Sequence, residues 1–148
     1  MMFNRILLPL DGSKIAEQAL PYAIAQAENF QAELILLKVL EFLPKERSLS
    51  GKLVKDAFEL TVIQAQEYLA AMAGRVQEYG LRVRVATVEG RPHVEIIQFA
   101  ETNKVDLIVM CTRGDSGISR WLMGSVADRV IRGASVPVLL VHAKENKR

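Results

Sequence analysis

At 148 residues, half of them apolar and 24% charged, the chain has an ordinary globular composition and enough length to bury one sizeable core without a disulfide or a structural metal. Nineteen Lys and Arg against seventeen Asp and Glu leave a net charge of +2, too little to mark a nucleic-acid surface. The single cysteine, Cys111, has no partner for an internal disulfide, and no Cys/His cluster has metal-ligand spacing, so a reducing cytosol is the expected, cytoplasmic setting.

In chain order, the start, Met1 to Leu10, carries too short an apolar run for a signal-peptide core and reads as a strand, Ile6 to Leu10. A helix follows from about Ser13 to Asn29, with Ile15, Ala19, Ala23 and Ala27 on one stripe. Pro21 inside that pattern should kink the helix, unless the helix begins there. A second, continuously aliphatic strand runs from Glu33 to Val39, and the charged, Ser-rich stretch Glu41 to Gly51 after it is expected to be mobile. The longest helix spans about Lys52 to Tyr79, with Gly80 as its stop. Arg82 to Val88 alternates as an edge strand does, and Pro92 opens a helix to about Thr102. Leu107 to Cys111 is a buried strand, Ser125 to Gly133 the last helix, and Val138 to His142 the last strand. The βα alternation implies a parallel sheet with helices on both faces, in one domain, 1–148. No apolar run reaches membrane-spanning length, so neither a membrane nor a nucleic acid is an expected partner.

In such sheets ligands bind outside the carboxyl ends of the strands, where the strand order reverses. After the first strand, Pro9-Leu10-Asp11-Gly12-Ser13 sets a carboxylate just before a helix start. Asp11 or Ser13 would cap that helix, or Asp11 would meet a ribose hydroxyl or a Mg²⁺ ion held by phosphates. After the fourth strand comes Met110-Cys111-Thr112-Arg113-Gly114, then nine residues, then Gly124-Ser125 at a helix start. Glycine lets backbone N–H groups approach phosphate oxygens, and the helix start adds donors and a favourable dipole. Arg113 adds a cation. The plainer reading is a helix capped by Ser125 and Asp128, with Trp121 packed against the sheet or loop rather than stacked on a base.

The segment Cys111-x-x-Gly114-x9-Gly124-Ser125, with ILLPLDGS near the start and VPVLLV near the end, resembles the universal stress protein family, whose pattern is G-x-x-G-x9-G-[ST]. The resemblance implies a five-stranded, Rossmann-like parallel sheet of order 3-2-1-4-5, adenine-nucleotide binding in some members and none in others, and dimers through the last strand. Carried over, Pro9, Leu10 and Asp11 would border the nucleotide, Val39 would lie against the adenine, and Met110, Gly114, Gly124, Ser125 and Val126 would surround ribose and phosphates. ATP, ADP or AMP is the implied ligand, with Mg²⁺ as its companion at Asp11. Cys111 departs from the pattern: a side chain there costs positive-φ freedom and adds bulk where the ligand approaches.

The expected role is a nucleotide-binding regulatory or stress-response module. A slow ATPase or phosphotransfer enzyme on the same site is the alternative, as is a dimeric stress protein that binds no nucleotide. His93 and His142 are the only histidines, and neither the H-x-G-H, the S-G-G-x-D-S nor the Walker A pattern occurs, so slow ATP hydrolysis is the most expected of it. A phosphoacceptor receiver domain would require paired acids where the chain offers Asp11 alone. The final strand, at a sheet edge in the implied order, would pair with a second copy through Val138 to His142.

Overall fold

The computed structural model describes residues 2–41, 51–113 and 123–144. Along the chain come β1 (Arg5–Pro9), a 3-10 turn (Ala16–Ala19), α1 (Leu20–Phe30), β2 (Glu33–Leu40), α2 (Gly51–Gln77), β3 (Val83–Glu89), α3 (Pro92–Thr102), β4 (Leu107–Cys111), α4 (Ser125–Gly133) and β5 (Val138–Val141). The strands form one parallel sheet in the order β3-β2-β1-β4-β5, with β3 at one edge as its charged sequence implied.

Strand alternation sorts the core into two layers. Ile6, Leu8, Leu34, Leu36, Leu107 and Val109 face the 3-10 turn, α1 and α2, where Leu20, Ala23, Leu69 and Val76 meet them. On the other face Leu7, Ile35, Leu37, Ile108 and Met110 pack under Ile96 and Ala100 of α3 and Ala127 and Val130 of α4. Strands buried on both sides need no polar alternation, which is why β1, β2 and β4 read as aliphatic runs. At the amino ends, the Asp106 carboxylate accepts the Asn4 and Arg5 amides at 2.8 and 2.9 Å and ties β1 to the approach of β4.

The segment from Ser13 to Asn29 is divided, and of the two expectations for Pro21 the helix start is the one realised. A 3-10 turn covers Ala16–Ala19, and α1 starts at Leu20 with Pro21 in its first turn. There the missing proline N–H breaks no helical bond, so no kink is needed. Gly80 does stop α2: it has φ +72° and its amide donates to Gln77 O at 2.9 Å. The expected mobile stretch falls largely on residues 42–50, outside the described residues.

Candidate functional site

β1 is followed by elements on one face of the sheet, β4 by α4 on the other, so their carboxyl ends part and leave a crevice. A cavity of about 250 Å³ opens there. Its wall contains Pro9, Leu10, Asp11, Val39, Met110, Cys111, Arg113, Gly124, Ser125 and Val126, ten of the eleven residues expected from the sequence. The eleventh, Gly114, lies outside the described residues, as do Arg120 and Trp121.

The cavity has unlike ends. One is apolar, built from Leu37 and Val39 of β2 and Pro92 and Ile96 of α3, with the Glu41 carboxylate at its rim. Sequence reasoning missed this contribution from α3, although Gly90-Arg91-Pro92 is also a strand-to-helix turn at the carboxyl end of the sheet. That turn is tied to β2 by the Gly90 amide, which donates to Leu40 O at 3.0 Å.

The other end is cationic and donor-rich. Arg113 is buried, and α4 begins beside it. Gly124 is the N-cap, with φ −62° and ψ 151°, and no side chain caps the helix. The expected capping by Ser125 and Asp128 is absent because Gly124 takes the N-cap and leaves both one position too far into the helix; Asp128 pairs with Arg132 instead, at 3.2 Å. The first helical bond is Asp128 N–H to Gly124 O, so the Ser125, Val126 and Ala127 amides have no intrahelical acceptor. The Gly124 amide itself is spent on Thr112 O at 2.7 Å. Glycine suits the close approach at this position, for an added Cβ would stand 3.0 Å from Arg113 Cα.

Between the ends sits Asp11. Its Oδ1 accepts the Ser13 amide at 2.9 Å and the Ser13 hydroxyl at 2.6 Å, while Ser13 Oγ accepts the Ala16 amide at 3.1 Å. Ser13 thus caps the 3-10 turn and Asp11 braces Ser13, so capping and a place in the cavity wall coexist. Lys38 Nζ donates to Asp11 O at 3.2 Å, across the turn that Gly12 makes with φ +91°.

Cys111 corrects an expectation. It is an ordinary strand residue, absent from the positive-φ positions, so the cost in backbone freedom does not arise. Alternation turns its side chain to the face opposite Met110, and its Sγ donates to Ile15 O at 3.2 Å, with Ala16 O at 3.7 Å. Burial pushes the thiol from 9.0 up to about 11, offset in part by a backbone hydrogen bond from Ala19, with the Asp11 charge adding to the rise. The turn is held from α2 as well: Glu17 accepts the Tyr68 hydroxyl at 3.0 Å and lies 3.7 Å from Arg75. Burial, that hydrogen bond and the Glu17 and Asp11 charges lift the Tyr68 phenol above its ordinary value, against a smaller opposing effect of Arg75. Gln18 exchanges two hydrogen bonds with the Lys144 backbone, both at 2.8 Å. Among the described residues no group of three His, Cys, Asp or Glu side chains is placed to hold a metal.

Residues 2–142 match the universal stress protein family profile. Universal stress protein MJ0531 of Methanocaldococcus jannaschii is 38% identical over 95% of this chain and 82% of its own length. The structure of MJ0577, from the same organism, superimposes with a TM-score of 0.88 at 30% identity, covering 99% of this chain and all of the other. Universal stress proteins solved with cAMP (24% identity, TM-score 0.72, 96% and 98% coverage) and, from Archaeoglobus fulgidus, with dAMP (21%, 0.68, 95% and 98%) share the fold. With its 3-2-1-4-5 sheet and a profile match running nearly end to end, the chain belongs to the universal stress protein family.

Proposed function

We propose that the cavity binds an adenine nucleotide and that the protein acts as a cytoplasmic, single-domain regulatory module rather than an enzyme. The observation that carries this reading is the uncapped start of α4, whose Ser125, Val126 and Ala127 amides open beside the buried Arg113 on the same cavity as an apolar slot. A phosphate suits the amides and the cation, because it takes several N–H bonds and gains from the helix dipole. An aromatic base suits the slot of Leu37, Val39, Pro92 and Ile96. Asp11 stands between, within the part of the wall that would meet a ribose, or a Mg²⁺ ion carried by phosphates. One carboxylate is enough for Mg²⁺ that keeps its waters and phosphate ligands. The adenine nucleotides held by the two family members solved with cAMP and dAMP support the choice of base. Slow hydrolysis is the most that the cavity's described side chains favour: among the described residues its carboxylates are Asp11 and Glu41, and no histidine lines it.

Assembly is the second part of the reading. A homodimer through the β5 edge is favoured by the path of the chain after it. Ala143 N–H donates to Thr112 Oγ1 at 3.1 Å and Lys144 turns to Gln18, so residues 143–144 run over β4 and leave the outer edge of β5 uncovered by them. The nucleotide reading is tested by calorimetry with AMP and ATP, each with and without Mg²⁺, alongside identification of any nucleotide released on denaturing the purified protein. Saturable binding of an adenine nucleotide is expected. No binding heat together with no released nucleotide would refute it.

A further inference from the structure

Cys111 occupies the end of β4, where the family pattern has glycine, and its thiol is engaged rather than idle. Its Sγ donates to Ile15 O at 3.2 Å, with Ala16 O at 3.7 Å, at the start of the 3-10 turn. From that turn a short relay leads back to the cavity: the Ala16 amide to Ser13 Oγ at 3.1 Å, then the Ser13 hydroxyl to Asp11 Oδ1 at 2.6 Å. Cys111, Ala16 and Asp11 all line the cavity, so the relay starts and ends on its wall. A 3-10 turn has poorer internal hydrogen-bond geometry than an α-helix and gains correspondingly from outside partners. Gly12, with φ +91°, turns the chain between Asp11 and Ser13, and the Asp11 carboxylate is braced from the 3-10 side through Ser13.

We propose that Cys111 is a positioning residue: its thiol pins the 3-10 turn to the end of β4 and thereby fixes the Asp11 carboxylate against the ligand. The ligand part of this statement rests on the nucleotide reading above; the pinning does not. A glycine at 111 would restore the family pattern and remove the pin, so Cys111→Gly weakens nucleotide binding instead of tightening it.

The test compares wild type with Cys111→Ala, which removes the donor, and Cys111→Ser, which keeps one. AMP affinity is read by calorimetry and exchange of the Ser13 and Ala16 amides by hydrogen–deuterium exchange. A thiol is a weak donor, so loss of its hydrogen bond corresponds to the low end of the usual range, about a twofold to threefold effect. The alanine variant should therefore bind AMP that much more weakly and exchange those amides faster, and serine should restore both. Wild-type affinity and exchange in the alanine variant would overturn the proposal, and so would a serine variant that behaves like alanine, since side-chain volume alone would then be responsible. Should wild type itself fail to bind AMP, the nucleotide reading falls, and the exchange comparison by itself decides the pinning.

Discussion

Replacing Gly124 by alanine puts a methyl group into the narrowest contact between the end of β4 and the start of α4. The added carbon would lie 3.0 Å from Arg113 Cα, 3.3 Å from Arg113 Cβ and 3.3 Å from Thr112 O. Contacts this short are tighter than carbon atoms normally adopt, so a few tenths of an ångström must be found in backbone that is held by the 2.7 Å bond from Gly124 N–H to Thr112 O. Strain does not come from the backbone angles, since φ −62° and ψ 151° suit any residue. Overpacking of this kind costs about 1–3 kcal/mol. In a chain of this size that is a fall in Tm of about 3–10 °C. Retreat of α4 also carries the Ser125, Val126 and Ala127 amides away from Arg113, so nucleotide affinity should drop along with stability. Scanning calorimetry measures the first effect and titration calorimetry at a temperature where the variant is fully folded measures the second. A Gly124→Ala protein with the wild-type Tm would show that the loop yields without cost; a lowered Tm with unchanged affinity would show that the glycine serves packing alone.

Three further outcomes are expected. Because the Cys111 thiol is raised to about 11 in the folded protein, it holds its proton where an unfolded thiol loses it. Its contribution to stability is therefore complete below the unshifted value of 9.0 and is lost as pH rises toward 11. Urea unfolding of wild type should accordingly lose stability relative to Cys111→Ser across that window, and parallel pH profiles would contradict it. Tyr68→Phe deletes the hydroxyl that donates to Glu17 and should cost about 1 kcal/mol by urea unfolding, while removing from the ultraviolet titration a phenol that ionises above the ordinary tyrosine value. If β5 joins two copies, Val138→Lys, at a half-buried position of the edge strand, should shift sedimentation from dimer to monomer. Val141 is unsuitable for that test because it is buried. A wild type that is already monomeric at micromolar concentration would refute the dimer.

Legibility in the sequence followed the range of the interactions involved. Leu107–Cys111 and Ser125–Gly133 were readable to the residue because an apolar run, or a Gly-Ser start with a helical stripe, is local. The other strands shifted by a residue or so at their ends, where pairing with neighbours decides. The 3-10 turn was not legible. Ile15, Ala16, Ala19 and Leu20 have the spacing of a continuous helix, and Pro21 was the one sign that α1 starts late. The cavity's composition was largely visible because the phosphate-type loop and the Asp11 turn are sequence patterns, whereas Pro92 and Ile96 reach it only through the tertiary placement of α3. For Cys111 the signal was present but unused: with Leu107 and Val109 on one face, period two already turns residue 111 to that face and away from Met110.

The central place of β1 has a consequence for synthesis on the ribosome. Its Ile6, Leu7 and Leu8 are wholly buried, and they precede the β4 residues that flank them, Leu107 and Ile108, by most of the described chain. β2 and β3 can pair beside them early, but the other edge of β1 is closed by Ile6 against Leu107 and Leu7 against Ile108. Until that distant strand leaves the exit tunnel, this buried central strand keeps an unpaired ladder on one side. A nascent chain stalled just before β4 therefore presents an open, apolar strand edge, the kind of surface on which partly folded chains associate.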